Sequence, residues 1–432
     1  MFYFSTNNQS PKVDFRQATI NGQAPDKGLY FPEKIPVLPN PLISNIENYS
    51  KEEIAFIVIQ PYVGASIPVN ELARIARESV NFDFPLKPVT ETVSSLELYH
   101  GPTLAFKDVG ARFMSRCLGY FAASLDKEIT VLVATSGDTG GAVAAGFSGV
   151  PGVNVVILYP SGKVSKVQEL QLTTWGGNVK ALEVEGTFDD CQHMVKQAFA
   201  DEELKQRLFL TSANSINVAR WLPQQFYYFF AYQQWKEKND LPVISVPSGN
   251  FGNICAGLLA NRSGLPFKHF IAACNANDTV PEFFESGEYH PKKAIATISN
   301  AMDVGNPSNF IRILELFGHD REKLKALITP YSISDDETRQ AIKEVWLDHN
   351  YLMDPHGAVA YIALQRYLHK NKSLKGIFLE TAHPVKFYDV VEPVTGLTIE
   401  LPDSVKVLTD KEQQRTKIGV EYDQFKEYLL NS

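Results

Sequence analysis

Four short segments of this sequence hold the residues best suited to chemistry. The first, His100-Gly101-Pro102-Thr103-Leu104-Ala105-Phe106-Lys107-Asp108, sets a lysine behind a phenylalanine and other apolar residues. A partly desolvated lysine has a lowered pKa and attacks an aldehyde as a neutral amine. A lysine that only snorkels along apolar surface fits the same residues, and this segment alone does not separate the two. The second, Thr135-Ser136-Gly137-Asp138-Thr139-Gly140-Gly141, joins an apolar run to an Ala-rich helical stretch. Backbone N–H groups and hydroxyls at a helix start favour an anion such as a substrate carboxylate. A plain turn capped by Asp138 needs fewer glycines and hydroxyls than the seven positions contain.

In the third segment, Ser248-Gly249-Asn250-Phe251-Gly252-Asn253, two glycines let the backbone close on a phosphate, and a helical run follows directly. No Gly-Lys-Ser/Thr follows, so it is not a Walker loop, and the glycine spacing is not that of the dinucleotide fingerprint. It reads as a phosphate cup for a small cofactor. The fourth, Asn214-Ser215-Ile216-Asn217-Val218-Ala219-Arg220, again opens a helix. Ser215, Asn217 and Arg220 suit a second phosphate, held by charge-assisted hydrogen bonds. A surface arginine at a helix start is the competing reading. Taken together, the segments supply a lysine nucleophile, a carboxylate nest, a cofactor phosphate cup and a further anion site. A pyridoxal phosphate enzyme needs these parts, because the cofactor is the electron sink and the protein orients it.

The elements that position these segments follow from the hydrophobic pattern. Short β-branched runs at 129–135, 153–158, 179–184, 208–211, 242–246, 270–273 and 376–379 alternate with helical stretches at 165–175, 188–207, from about 218 and after the second Ser-Gly turn. Such alternation predicts mostly parallel sheets with helices on both faces, and ligands beyond the carboxyl ends of the strands. The fold class is therefore α/β, with two three-layer domains facing one cleft. Residues 1–95, with Pro-rich turns and a helix at 69–79, predict an N-terminal subdomain. Residues 96–230 then form a smaller domain, 231–390 a larger one, and 391–432 an irregular polar tail packed on the surface.

Bulk composition narrows the partners. Of the 432 residues, 44% are hydrophobic and 21% charged, as in a globular protein, and the formal net charge of −8 favours neither nucleic acid nor an anionic membrane. The first fifteen residues have no signal-peptide pattern and no apolar run reaches eighteen residues, so a cytoplasmic location is expected. The cysteines Cys117, Cys191, Cys255 and Cys274 are scattered, which argues against disulfides and zinc. His100, His356 and His383 lie inside motifs, and none of the nine histidines has metal-ligand spacing, so no metal is expected.

Beyond these arguments, GPTLAFKD, ATSGDTGG, NSINVARWLPQ, SGNFGN, MDVGNPSNF (302–310), DPHGAVAY (354–361), ETAHPVKF (380–387) and the early DKGLYFPE (26–33) resemble the threonine synthase family. The similarity runs in order from about residue 1 to 390. It implies a fold-type II pyridoxal phosphate enzyme, monomeric or homodimeric, that converts O-phospho-L-homoserine and water to L-threonine and phosphate. On that resemblance Lys107 forms the Schiff base and then shuttles protons. Gly249, Asn250, Phe251, Gly252 and Asn253 hold the cofactor phosphate, and Thr381 meets the pyridine nitrogen. Thr135, Ser136, Asp138 and Thr139 face the substrate carboxylate, and Ser215, Asn217 and Arg220 its phosphate. Asp138 departs from the family pattern, since many fold-type II enzymes carry Asn there. Asp138 is then turned away or protonated, or another residue such as Asn217 takes the role. The rival readings are another fold-type II lyase, a dehydratase or phospholyase, and a non-catalytic protein that binds phosphorylated amino acids.

Overall fold

A computed structural model describes residues 1–431 and resolves the alternating pattern into two parallel sheets and a small antiparallel one. The five-stranded sheet runs Thr416–Ile418, Val179–Val184, Val153–Pro160, Ile129–Ala134, Phe209–Ser212 in space, all parallel. The six-stranded sheet runs Ile328–Ser332, His269–Cys274, Val243–Pro247, Gly376–Glu380, Val93–Glu97, Leu86–Pro88, with only the last strand antiparallel. Near-continuous apolar runs such as VNVVILYP, buried along all but one residue, are what helices covering both faces require.

Strand order decides where the chemistry goes. Three adjacent strands of the larger sheet, Val243–Pro247, Gly376–Glu380 and Val93–Glu97, lead into the SGNFGN loop, Thr381 and the Lys107 loop. Two adjacent strands of the smaller sheet, Ile129–Ala134 and Phe209–Ser212, lead into the Ser-Gly-Asp-Thr turn and the Ser215–Arg220 segment. All five segments thus leave carboxyl strand ends, where open parallel sheets bind ligands.

The chain path departs from the sequential domains expected. The larger sheet takes Leu86–Pro88 and Val93–Glu97 from before the smaller sheet, so the division at residue 95 cuts through it. The N-terminal antiparallel sheet of Phe2–Ser5, Val13–Asp14 and Tyr30–Pro32 does not form a separate body. Phe15, which opens the helix Phe15–Asn21 after its second strand, meets Phe113 and Phe121 of the Lys107–Ala122 helix, and Phe31 of its third strand stacks on Trp221, within one continuous apolar core. The segment after residue 390 is no surface tail. Thr416–Ile418 pairs in parallel with Val179–Val184, and Phe425 and Leu429 of the last helix are buried beside Leu182 and Val184. A strand of three residues, two of them exposed, leaves almost no period-two signal. Ser432 lies outside the described residues.

The helix expected over 188–207 is two, Phe188–Ala200 and Glu202–Arg207. Asp201 between them is extended, caps the second through Leu204 N–H at 3.1 Å, and accepts from Tyr422 and Lys426 of the last helix. A capping aspartate thereby fixes both the break and the docking of the C-terminus. Among the described residues no helix is long and apolar enough to cross a membrane, and no three His, Cys, Asp or Glu side chains group around a metal-sized space.

One buried histidine gives the fold a pH dependence. His269 opens its strand, shares a 2.8 Å hydrogen bond with the Thr329 hydroxyl, and is pushed down to about 4 by burial. The unfolded chain takes up this proton near pH 6.5, so between about 6.5 and 4 it binds more protons than the folded one. Stability therefore falls on acidification through that window, by up to ~3 kcal/mol from this group alone. We expect His269→Gln to flatten the fall in melting temperature between pH 6.5 and 4.5. Parallel curves for variant and wild type would assign the acid sensitivity to other groups.

Candidate active site

Lys107 is the first residue of the Lys107–Ala122 helix, and its approach loop is fixed from several sides. Phe106 N–H donates to Thr381 O at 2.9 Å, the Tyr227 hydroxyl donates to Phe106 O, and Ala105 bridges Ala382. Buried Asp108 accepts from Thr103 N–H at 2.9 Å and from its hydroxyl at 2.5 Å. Leu104 takes a left-handed conformation (φ 58°), a strained one for a branched side chain, and its carbonyl accepts His383 N–H at 3.0 Å. The loop is thus over-determined, and it presents Lys107 Nζ 5.6 Å from the Phe106 ring centre. Burial lowers the Lys107 pKa, Asp138 works against that, and the Lys386 and Arg220 charges add to it. This environment favours the nucleophile reading over the snorkelling one.

Asp138 is not turned away, and its contacts favour the carboxylate form. Its Oδ1 lies 2.8 Å from Lys386 Nζ and accepts from Gln168 Nε2 at 3.0 Å, while Oδ2 lies 3.6 Å from Lys107 Nζ. Burial pushes its pKa up, but the Lys386 and Lys107 charges outweigh that and hold it well below the usual carboxylate range. Gln168 reaches it from the capping box of the Lys166–Thr173 helix, where Gln168 Oε1 also accepts Ser165 N–H. Gly137 must lack a side chain there, because a Cβ would meet the Gln168 carboxamide at 2.5 Å and its φ is 129°. In the same turn the Thr135 hydroxyl accepts from Gly137 and Gly140 N–H, so its acceptor capacity shapes the turn. The Ser136 and Thr139 hydroxyls make no hydrogen bond among the described residues.

The SGNFGN loop and the Ser215–Arg220 segment share a wall. Ser215 Oγ accepts from Asn250 Nδ2 at 2.7 Å and from Asn309 Nδ2 at 3.1 Å, while Asn250 Oδ1 accepts Ser308 N–H. Phe251 is left-handed (φ 60°) and precedes the Gly252–Arg262 helix, whose first N–H groups have no partner within the helix. Asn253 Oδ1 accepts from the Tyr228 hydroxyl, yet its buried Nδ2 has no partner. Gly249 accommodates Met302, whose Cα would lie 2.5 Å from a Cβ. Asp354 and His356 hold that neighbour in place: His356 Nδ1 bonds Asp354 at 2.5 Å, and its Nε2 accepts Ala301 N–H at 3.2 Å.

Arg220 and Asn217 part company. Asn217 is completely buried, with its amide spent on Thr19 O, Ser212 O and Ala219 N–H, so it caps a helix and is not brought to the cleft. Arg220 is also buried, but its Nε and Nη1 have no partner. Burial lowers its pKa to about 10, with no carboxylate in contact. Its helix packs close to that of Lys107, since a Cβ on Gly110 would meet Arg220 O at 2.6 Å. A buried cation left without an anion is costly unless a ligand supplies one.

Thr381 follows the Gly376–Glu380 strand, nearly buried, and its hydroxyl makes no hydrogen bond among the described residues. The preceding Glu380 is raised well above the usual carboxylate range by burial and by the Asp354 charge.

Comparison with known proteins places this arrangement. Residues 94–377 match the family described as pyridoxal-phosphate dependent enzyme, 2–80 the threonine synthase N terminus, and 357–429 the threonine synthase C-terminal family. Threonine synthase of Haemophilus influenzae is 44% identical, with the whole of both chains covered. The chain belongs to the threonine synthase family. The crystal structure of threonine synthase from Escherichia coli superposes with a TM-score of 0.92 at 42% identity over all of both chains. The threonine synthase from Brucella melitensis, solved with bound pyridoxal phosphate, gives a TM-score of 0.94 at 35% identity over 100% of this chain and 99% of that one.

A threonine synthase fold of this kind is a pyridoxal phosphate enzyme, and the site fits the cofactor on its own terms. A desolvated lysine stands at one helix start, and free N–H groups with an orphaned Asn253 amide stand at another. Four contributors were not among the residues the sequence singled out: Lys386, Gln168, Asn309 and Arg312. Arg312 is fully buried 4.4 Å over Trp221 and donates to Tyr30 O, Ser215 O, Ile216 O and Asn309 Oδ1. It ties the N-terminal sheet to the Ser215–Arg220 segment and, through Asn309, to the SGNFGN loop.

Proposed function

We propose that this chain converts O-phospho-L-homoserine and water to L-threonine and phosphate. The observation that carries the reading is the unpartnered guanidinium of Arg220, buried near Lys107 and fitted to an anion that arrives with the substrate.

The residues divide the work. Bound pyridoxal phosphate supplies an electron sink for carbanions at the substrate carbons. Gly249, Asn250, Phe251, Gly252 and Asn253 would hold its phosphate, and the Thr381 hydroxyl would serve its ring nitrogen. Lys107, with its lowered pKa, takes and returns protons at the substrate carbons. Ser136 and Thr139 offer free hydroxyls to the substrate carboxylate. Arg220 and Ser215 bind the substrate phosphate and stabilise the charge that develops as it leaves. Thr135 supports the turn, and Asp138 acts on Lys107 instead of on the carboxylate.

Product analysis tests the reading. With O-phosphohomoserine the enzyme should release phosphate and threonine in equal amounts. Phosphate with 2-oxobutyrate and no threonine would mark a phospholyase instead, and absence of both products would favour a binding protein.

A further inference from the structure

Lys386 is the feature that the roles above leave unused. It lies in the short helical turn Pro384–Phe387, its side chain is wholly inaccessible, and its Nζ donates to Thr103 O at 2.8 Å and to Asp138 Oδ1 at 2.8 Å. A completely buried lysine is rare and costly unless its charge is matched. Here the match is Asp138, which also faces Lys107 at 3.6 Å. Two lysine side chains therefore flank one carboxylate, Lys386 from a wholly inaccessible position and Lys107 from a partly exposed one.

We propose that Lys386 is a positioning residue of this site: its ammonium balances Asp138, so that Lys107 faces a neutral pair and not a bare carboxylate. The inference rests on the pyridoxal phosphate reading given above. Lys107 captures an aldehyde only as a free amine, with one water released. A lone carboxylate at that distance favours the ammonium form, by an amount that corresponds to one or more pH units. Lys386 cancels that pull. Through Thr103 O it also pins the loop on which Lys107 is carried, so charge and position are set by one group.

Other charged groups face this pair from every side. Arg220 acts on Lys107 from the Val218–Trp221 helix, Asp108 faces Lys386 from the Lys107–Ala122 helix, and His383 adjoins Lys386 in its own turn. Burial and the neighbouring His100 push His383 down to about 4, so it stays neutral above that pH and does not replace the Lys386 charge. Arg220 and Asp108 differ in sign and are not altered by the substitutions below.

The test follows uptake of pyridoxal phosphate by the full-length protein stripped of cofactor, read as the growth of visible absorbance from pH 6 to 10. Lys386→Met should move the midpoint of the rate profile up by about one unit or more, and Lys386→Arg should leave it near wild type. Asp138→Asn should move it down, and Asp138→Asn with Lys386→Met should return it towards wild type. Should Lys386→Met fail to fold because it strands Asp138, the comparison of Asp138→Asn with the double variant still decides, since that pair contains no unbalanced carboxylate. A midpoint that ignores residue 386 in both backgrounds overturns the proposal. Wild-type protein that takes up no cofactor would instead overturn the cofactor reading, so the two failures are distinct.

Discussion

Lys107→Ala is expected to lower threonine formation by at least ~10³-fold, because one side chain performs two tasks. On the function proposed above it holds the cofactor covalently and also moves protons at the substrate. The loss should appear in kcat, since the anion-binding loops that set substrate affinity are not built on this residue. Cofactor should still bind through the Gly249–Asn253 loop, but without the absorbance of the lysine-bound form. The variant should fold normally. Lys107 is held at the start of its helix by backbone bonds from Phe106 and by the Asp108–Thr103 pair, none of which uses its amine. Measured turnover within tenfold of wild type would remove Lys107 from the centre of the mechanism.

Arg220→Met should separate binding from stability. With no anion to meet it, the guanidinium leaves Nε and Nη1 unsatisfied, and an apolar side chain of similar length removes that penalty. The ligand-free variant should therefore melt at the wild-type temperature or above it. Its kcat/KM for O-phosphohomoserine should fall by ~10²–10³-fold, the size expected for losing a charge-assisted contact on a leaving group. Inorganic phosphate should raise the melting temperature of wild type and leave the variant unmoved. Cofactor uptake should be unchanged. An equal loss of cofactor uptake and turnover would place Arg220 on the cofactor phosphate or in the scaffold.

Much of this site is written locally in the sequence, and its omissions have a physical pattern. Lys107, the SGNFGN loop and Arg220 stand at helix starts after apolar strands, where free backbone donors follow from helix geometry alone. The same logic overreached at Thr135 and Asn217. The Asn217 amide is spent on capping a helix and the acceptor side of the Thr135 hydroxyl on shaping a turn, tasks for which Asn and Thr are also favoured. Asp138 was seen but not its partner, since Lys386 lies far along the chain and meets it only when the two sheets face each other. The one local hint was a lysine enclosed by Val385 and Phe387. Gln168 was hidden behind its own capping role. The terminal segment misled because a three-residue strand at a sheet edge has too few positions to alternate.

That terminal strand also has a temporal meaning. Val179–Val184 acquires its outer neighbour only from Thr416–Ile418, more than two hundred residues later in the polypeptide. At a synthesis rate of roughly 5–20 residues per second, the nascent sheet keeps an open edge for about ten to fifty seconds. Through that interval the backbone donors and acceptors on one side of Val179–Val184 are available to any other extended chain. Closing this edge must wait for residues 416–418, and a chain cut short before them has a complete lysine loop but a sheet still open to aggregation.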